Sequence, residues 1–206
     1  GSNHNRSLDQ AKELIDVAAK AGVDAVKFQL FKGEKLYPQN CGIVDCPMGR
    51  IDFFKVLKDM ELPLEWLNIL REYSQEKGLI FLCTCFDEGS ARALEDIGIL
   101  AHKLGSQELN HIPLLENLAA MNKPVILSTG LSRFSEIEEA LDTCYRYGNK
   151  QIALLHCVSA YPTPLEECNL NVIKTLKTVF DVPVGISDHT LDPIVVPVVA
   201  VAIGAC

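Results

Sequence analysis

The chain has 206 residues, of which 48% are hydrophobic and 22% charged, a balance that suits a globular domain with ample apolar material for a core. Its formal charge of −8 argues against a nucleic-acid or anionic-membrane surface, because both select clustered Lys and Arg. No apolar run approaches the length of a membrane span, and an anionic small substrate would have to be met by local lysines rather than by the overall field.

From the N-terminus, "SLDQAKELIDVAAKAG" predicts an amphipathic helix with Ser7 as its N-cap and Gly22 as its stop. "DAVKFQLF" follows as a strand. Residues 32–62, with "YPQNCGIVDCPMGR", read as a long loop over the active face. Beyond it, helical patterns at about 63–77, 88–97, 112–121, 133–147, 168–180 and 191–203 alternate with the short apolar runs "LIFLCTCF", "AHKLGS", "KPVILSTG", "QIALLHCV" and "VPVGISD". Such alternation predicts a parallel sheet with crossover helices. No Gly-rich phosphate fingerprint follows any strand, and polar residues end nearly every strand, which favours a TIM (β/α)₈ barrel over a doubly wound sheet. A barrel takes ~250 residues. Residues 1–206 are therefore expected to be one barrel domain lacking its first and last strands.

The cysteines Cys83, Cys85, Cys144, Cys157 and Cys168 stand largely in apolar runs and read as reduced core residues of a cytoplasmic protein. Cys41 and Cys46 share a loop, but two thiols without a second pair make a weak zinc pattern.

Lys27 and Gln29 are two apart on a strand, so they share a face, with Val26, Phe28 and Leu30 on the other. In a barrel the aliphatic face meets the helices, which turns Lys27 and Gln29 inward. Lys103 lies mid-strand in "AHKLGS" in the same way, and two inward ammonium groups imply a bound phosphate or carboxylate. Thr84, Ser106, Ser128, Thr129 and Ser187 come at strand ends. Any one of them would ordinarily cap the next helix, whereas five together suit an anion cradle. Glu108 is balanced between a helix-start carboxylate and a substrate ligand. His102 and His156 read as structural. His189, arriving with Ser187 and Asp188 past an apolar run, has the chemistry of a metal ligand that a carboxylate could orient.

"NHN", "AVKFQ", "HKLG" with "SQELN", "KPVILSTG", "LLHCVSAYPTP" and "VGISDHT", in that order from Asn3 to about Gly204, resemble the sialic acid synthase family, which includes legionaminate and pseudaminate synthases and the spore-coat polysaccharide protein SpsE. The resemblance implies a TIM barrel, joined in the family by a C-terminal antifreeze-like domain that in a homodimer closes the partner's active site and that is expected to be absent from residues 1–206. It implies condensation of phosphoenolpyruvate with an N-acylated amino sugar to a nine-carbon 2-keto sugar acid and phosphate. By the same resemblance Lys27, Lys103, Ser106, Ser128 and Ser187 bind phosphoenolpyruvate, with Thr84 close by. Gln29, Glu108 and Tyr161 line the sugar side, and His189 is one of two histidine ligands to a divalent metal, manganese or magnesium. Glu108, Lys103 and His189 are the expected catalytic set. The chain departs from the family pattern at Arg6, Cys85, Gln107 and Ser159. A Schiff-base aldolase using Lys103 and a non-catalytic binding module are the alternative readings.

Overall fold

Ser7 caps the first helix as its place before an apolar-periodic run predicts, its hydroxyl accepting from Gln10 N at 3.2 Å. The structure is a computed structural model describing residues 3–46 and 49–206, without the side chains of residues 44–46. The chain divides into two units, Gly1–Leu100 and Ala101–Cys206.

In the first unit, α1 (Leu8–Lys20) leads into β1 (Ala25–Leu30), then α2 (Gly33–Leu36), β2 (Ile43–Cys46), β3 (Gly49–Asp52), α3 (Phe53–Met60), α4 (Trp66–Glu76), β4 (Ile80–Cys85) and α5 (Glu88–Asp96). β1 and β4 run parallel, with Lys27 opposite Leu82 and Gln29 opposite Thr84. The pleat turns Phe28 and Phe81 to one face, where their rings stack at 5.8 Å, and Lys27, Gln29 and Thr84 to the other. Ile15, Leu67, Leu70, Phe81 and Leu94 are buried, and full burial of each such side chain contributes about 1.5–3 kcal/mol.

Residues 32–62 are not the long loop that the sequence predicts. They hold two helices and an antiparallel hairpin, β2 with β3. Glu61, buried, fastens this insertion: its carboxylate accepts from Gly33 N at 2.7 Å and pairs with Lys58 at 2.9 Å. Burial works against that carboxylate, but the Gly33 N–H and Lys58 together hold it below its ordinary range. The distance between these partners in sequence hid the device.

In the second unit, β5 (His102–Leu104), α6 (Ile112–Ala120), β6 (Val125–Ser128), α7 (Phe134–Arg146), β7 (Ile152–Cys157), α8 (Val172–Phe180), β8 (Val184–Ser187) and α9 (Val195–Ala202) alternate, and the four strands run parallel in chain order. Leu104, Leu127, Leu154 and Val184 face the helical side with Leu114, Leu118, Ile137 and Ile173 among the buried residues. The expected helices at 168–180 and 191–203 start later than the apolar pattern predicts. α9 waits for Asp192, whose Oδ1 accepts from Ile194 N and Val195 N, both at 2.8 Å.

The parallel α/β organisation is thus the observed one, with parallel pairing of β1 with β4 and of β5 through β8. Among the described residues no helix is long and apolar enough to cross a membrane.

Candidate active site

Lys27 sits opposite Leu82, and its Nζ donates to Thr84 Oγ1, two residues further along β4, at 3.0 Å. Lys103 sits opposite Ile126, and its Nζ donates to Ser128 Oγ, two residues further along β6, at 2.7 Å, and to the Leu104 carbonyl. The same construction occurs once in each unit. A lysine mid-strand leans toward the C-terminal end of its neighbour, where a hydroxyl receives it. Burial lowers the Lys27 ammonium from its usual value.

In the second unit, register puts Lys103, Ser128, Cys157 and Ser187 on one face of the sheet. Lys103 and Ser128 are 5% and 3% exposed, so this is a buried polar construction that needs partners. Ser106 joins it, because its Oγ accepts from Gly130 N at 3.0 Å. None of the five strand-end hydroxyls caps the following α-helix. That task falls to Asp87 for α5 and to the His111 ring for α6, which accepts from Leu114 N at 3.0 Å. Thr129 is spoken for otherwise, donating from Oγ1 to the Leu155 carbonyl.

Glu108 ends a single 3₁₀ turn, Ser106–Glu108, and is buried. Its Oε2 has no hydrogen-bond partner among the described residues. Gly105 makes room for it, since a Cβ there would stand 2.5 Å from Oε2. Burial raises the carboxyl above its usual range, against the pull of its own backbone N–H, Lys103 and His111. The folded chain therefore holds this proton more tightly than the unfolded chain, so stability falls as pH rises from the unfolded value through the folded one. Glu108→Gln is expected to match the parent in melting temperature near pH 4 and to exceed it near pH 8; equal melting curves at both would show that burial does not penalise the charged form.

His189 lies past β8 with its Nδ1 at 3.0 Å from the Val158 carbonyl oxygen. A carbonyl only accepts, so Nδ1 donates to it, and Nε2 is the ring nitrogen left to face a metal. That is a fit for one ligand of a divalent cation. Among the described residues no group of three His, Cys, Asp or Glu gathers around it. Asp188 does not orient the ring as its adjacency suggested. It accepts from Thr190 N at 2.9 Å and from Thr190 Oγ1 at 3.0 Å, closing a local turn. Thr163 instead braces His189, donating its N–H to the His189 carbonyl at 2.9 Å and its hydroxyl to Ala160 O at 2.8 Å. Tyr161 is 72% exposed, with its ring 4.4 Å from that of His189. His156 is a core residue as expected, with Nε2 2.7 Å from the Cys168 carbonyl.

Gly130 and Ser159 are the contributors that sequence reasoning underrated. A Cβ on Gly130 would meet Ser159 Oγ at 2.5 Å, Ser106 Oγ at 2.8 Å and the Cys157 carbonyl at 3.1 Å. The only signal was a glycine directly after two strand-end hydroxyls in "LSTG". Ser187 shares a crevice of about 10 Å³ with Cys157 and His189, room for about one water. Gln29 stands half-buried beside Lys27 on the inward face of β1. Cys41, Cys83, Cys85, Cys144, Cys157, Cys168 and Cys206 are free thiols, and burial pushes Cys144 up to about 11. The side chain of Cys46, proposed with Cys41 as a metal pair, lies outside the described residues.

This arrangement offers a buried ammonium, two hydroxyls, a glycine N–H and a carboxyl that burial raises above its usual range, chemistry that suits an anionic substrate accepting hydrogen bonds. The chain is 44% identical over 207 residues to the spore coat polysaccharide biosynthesis protein SpsE of Bacillus subtilis and covers 56% of it. It is 39% identical to the N,N'-diacetyllegionaminic acid synthase of Legionella pneumophila, covering 60% of that protein. The structure of N-acetylneuraminic acid (sialic acid) synthetase from Leptospira borgpetersenii, in complex with citrate, matches all of the chain and 68% of its own at 36% identity, with a TM-score of 0.91. At 16% identity and a TM-score of 0.71, a 3-deoxy-D-arabino-heptulosonate 7-phosphate synthase of Thermotoga maritima shares the fold. The chain spans a little over half the length of the curated relatives it matches. The NeuB family model matches residues 14–206, and the chain belongs to the NeuB family.

Proposed function

We propose that the protein condenses phosphoenolpyruvate with an N-acylated amino sugar, in its open-chain aldehyde form, to a nine-carbon 2-keto sugar acid and phosphate. The observation that carries this reading is the buried Lys103–Ser128 pair beside Ser106 and Gly130 N, a cradle of the right chemistry for a phosphate or carboxylate. Relatives named as legionaminic and pseudaminic acid synthases support it, and synthases rather than imine-forming aldolases predominate among them. The six strands are proposed to belong to a (β/α)₈ barrel, and the protein to act as a cytoplasmic homodimer.

In the proposed reaction the enol carbon of phosphoenolpyruvate attacks the aldehyde carbon, whose oxygen gains a proton. Water adds to the resulting oxocarbenium carbon, and the tetrahedral intermediate breaks its C–O bond to release phosphate. Lys103, Ser106, Ser128 and Ser187 hold the anion through this sequence, with Lys27 and Thr84 as the corresponding pair from β1 and β4. Glu108, whose carboxyl burial raises above its usual range, supplies that proton to the aldehyde oxygen. Gln29 and Tyr161 bind the sugar. His189 Nε2 would hold one side of a manganese or magnesium ion, which when bound supplies Lewis-acid polarisation of the aldehyde.

Product analysis with phosphoenolpyruvate, manganese and a panel of N-acylated hexosamines tests the reading: phosphate release with a nine-carbon keto acid is expected, and no release with any acceptor would overturn it. Chelation with EDTA is expected to abolish phosphate release and added manganese to restore it, with His189→Ala needing at least tenfold more manganese for half-maximal rate. Unchanged rates after chelation would remove the metal.

A further inference from the structure

Thr163, in the second unit, is a buried residue of the loop that leaves β7, and the proposed reaction makes no use of it. Its Oγ1 lies 2.8 Å from the Ala160 carbonyl oxygen and 3.3 Å from that of Val158. With one proton to give, the hydroxyl donates to Ala160 and keeps the Val158 carbonyl within reach, which draws residues 158–163 into a closed loop. The Thr163 N–H donates to the His189 carbonyl at 2.9 Å and so ties this loop to the one that leaves β8.

A threonine hydroxyl that closes its own loop is common chemistry. This loop differs in what it carries. The Val158 carbonyl accepts from His189 Nδ1 at 3.0 Å, and Tyr161, between the two ends of the clasp, sets its ring 4.4 Å from the imidazole. One side chain thus holds the acceptor of the His189 ring, the aromatic ring beside it and, through its N–H, the backbone that bears it. Cys157 Sγ also lies within reach of Nδ1, at 3.8 Å, and sulfur is the weaker acceptor. If Val158 O moved away, the imidazole would lose the strong acceptor that sets its direction.

We propose that Thr163 is a positioning residue, whose hydroxyl keeps the Val158 carbonyl where it fixes the His189 ring and thereby sets the direction of Nε2. A partner on the far ring nitrogen orients a histidine ligand, and its loss costs about 10–100-fold in metal affinity. The task that adjacency assigned to Asp188 falls to a carbonyl, and the side chain behind it is Thr163. That Nε2 meets a divalent metal rests on the function proposed above. The direction of the ring does not, so the two can fail separately.

The test begins with the metal-free chain. In ¹⁵N-resolved NMR the His189 Nδ1–H, assigned by its loss in His189→Gln, is expected as a slowly exchanging signal in the parent. It should vanish into exchange in Thr163→Val and return in Thr163→Ser. Thr163→Ala repeats the comparison with Ser without a methyl facing the carbonyls. Thr143→Val is the control for stability alone, since it takes a fully buried hydroxyl from the Glu139 carbonyl, 2.7 Å away in α7. It is expected to lower the melting temperature and leave the His189 signal unchanged. Manganese, titrated with the free ion followed by electron paramagnetic resonance, should need at least tenfold more to half-saturate Thr163→Ala than Thr163→Ser. No slow signal in the parent, its survival in Thr163→Val and Thr163→Ala, or its equal loss in Thr143→Val would overturn the role of Thr163. A parent that takes up no manganese would overturn the metal reading of His189, while the metal-free signals still decide the positioning.

Discussion

Lys103→Met is expected to lower phosphate release by ~10²–10³-fold or more, the loss that follows removal of one preorganised donor from a charge-stabilising site. Lys103 is 5% exposed, and two of its partners are neutral oxygens, Ser128 Oγ and the Leu104 carbonyl. An ammonium held this way is more costly to bury than an apolar chain of similar length. The variant should therefore fold, with a melting temperature close to the parent's, while losing phosphoenolpyruvate. Lys103→Arg keeps the charge but replaces a compact head with a planar fork, and an intermediate loss is expected. Calorimetric titration and thermal melts on the same samples separate the two effects. Activity retained by the folded Met variant would mean that the lysine is structural.

Gly130→Ala is expected to weaken phosphoenolpyruvate binding by about 10–100-fold, at about 1.4 kcal/mol per tenfold, and to destabilise the fold by about 1–3 kcal/mol. The reason is steric. The added methyl would stand 2.5 Å from Ser159 Oγ, 2.8 Å from Ser106 Oγ and 3.1 Å from the Cys157 carbonyl. Side-chain hydroxyls can rotate away, but a strand-end carbonyl cannot, so the Gly130 backbone shifts and its N–H leaves Ser106. Combining Gly130→Ala with Ser159→Ala removes the closest clash and should recover part of the affinity. No recovery, with equal destabilisation in both variants, would confine Gly130 to packing.

The six parallel strands and most helices were legible because their signals are local. Ser7 before an apolar-periodic run and alternation at Lys27, Phe28 and Gln29 act within one element. The lysine and hydroxyl positions were legible for the same reason, since a polar residue mid-strand in an apolar run must have somewhere to go. What was hidden depends on partners distant in sequence. The insertion read as loop because its fastening, Glu61 on Gly33 N, spans 28 residues and leaves no periodic trace. Asp188 looked like the orienting carboxylate for His189 by adjacency, yet a short Asp side chain reaches its own turn more readily than a neighbouring ring. Gly130 has no side chain to notice, and its role lies in what a side chain would strike. The family resemblance named the relatives correctly, which periodicity alone would not have done.

Titration of phosphoenolpyruvate into the chain by calorimetry, in parallel for the parent and Lys103→Met, tests the anion cradle most directly. Saturable one-site binding by the parent and none by the folded Met variant is the predicted result. Indistinguishable isotherms, or a parent that takes up no phosphoenolpyruvate, would contradict it.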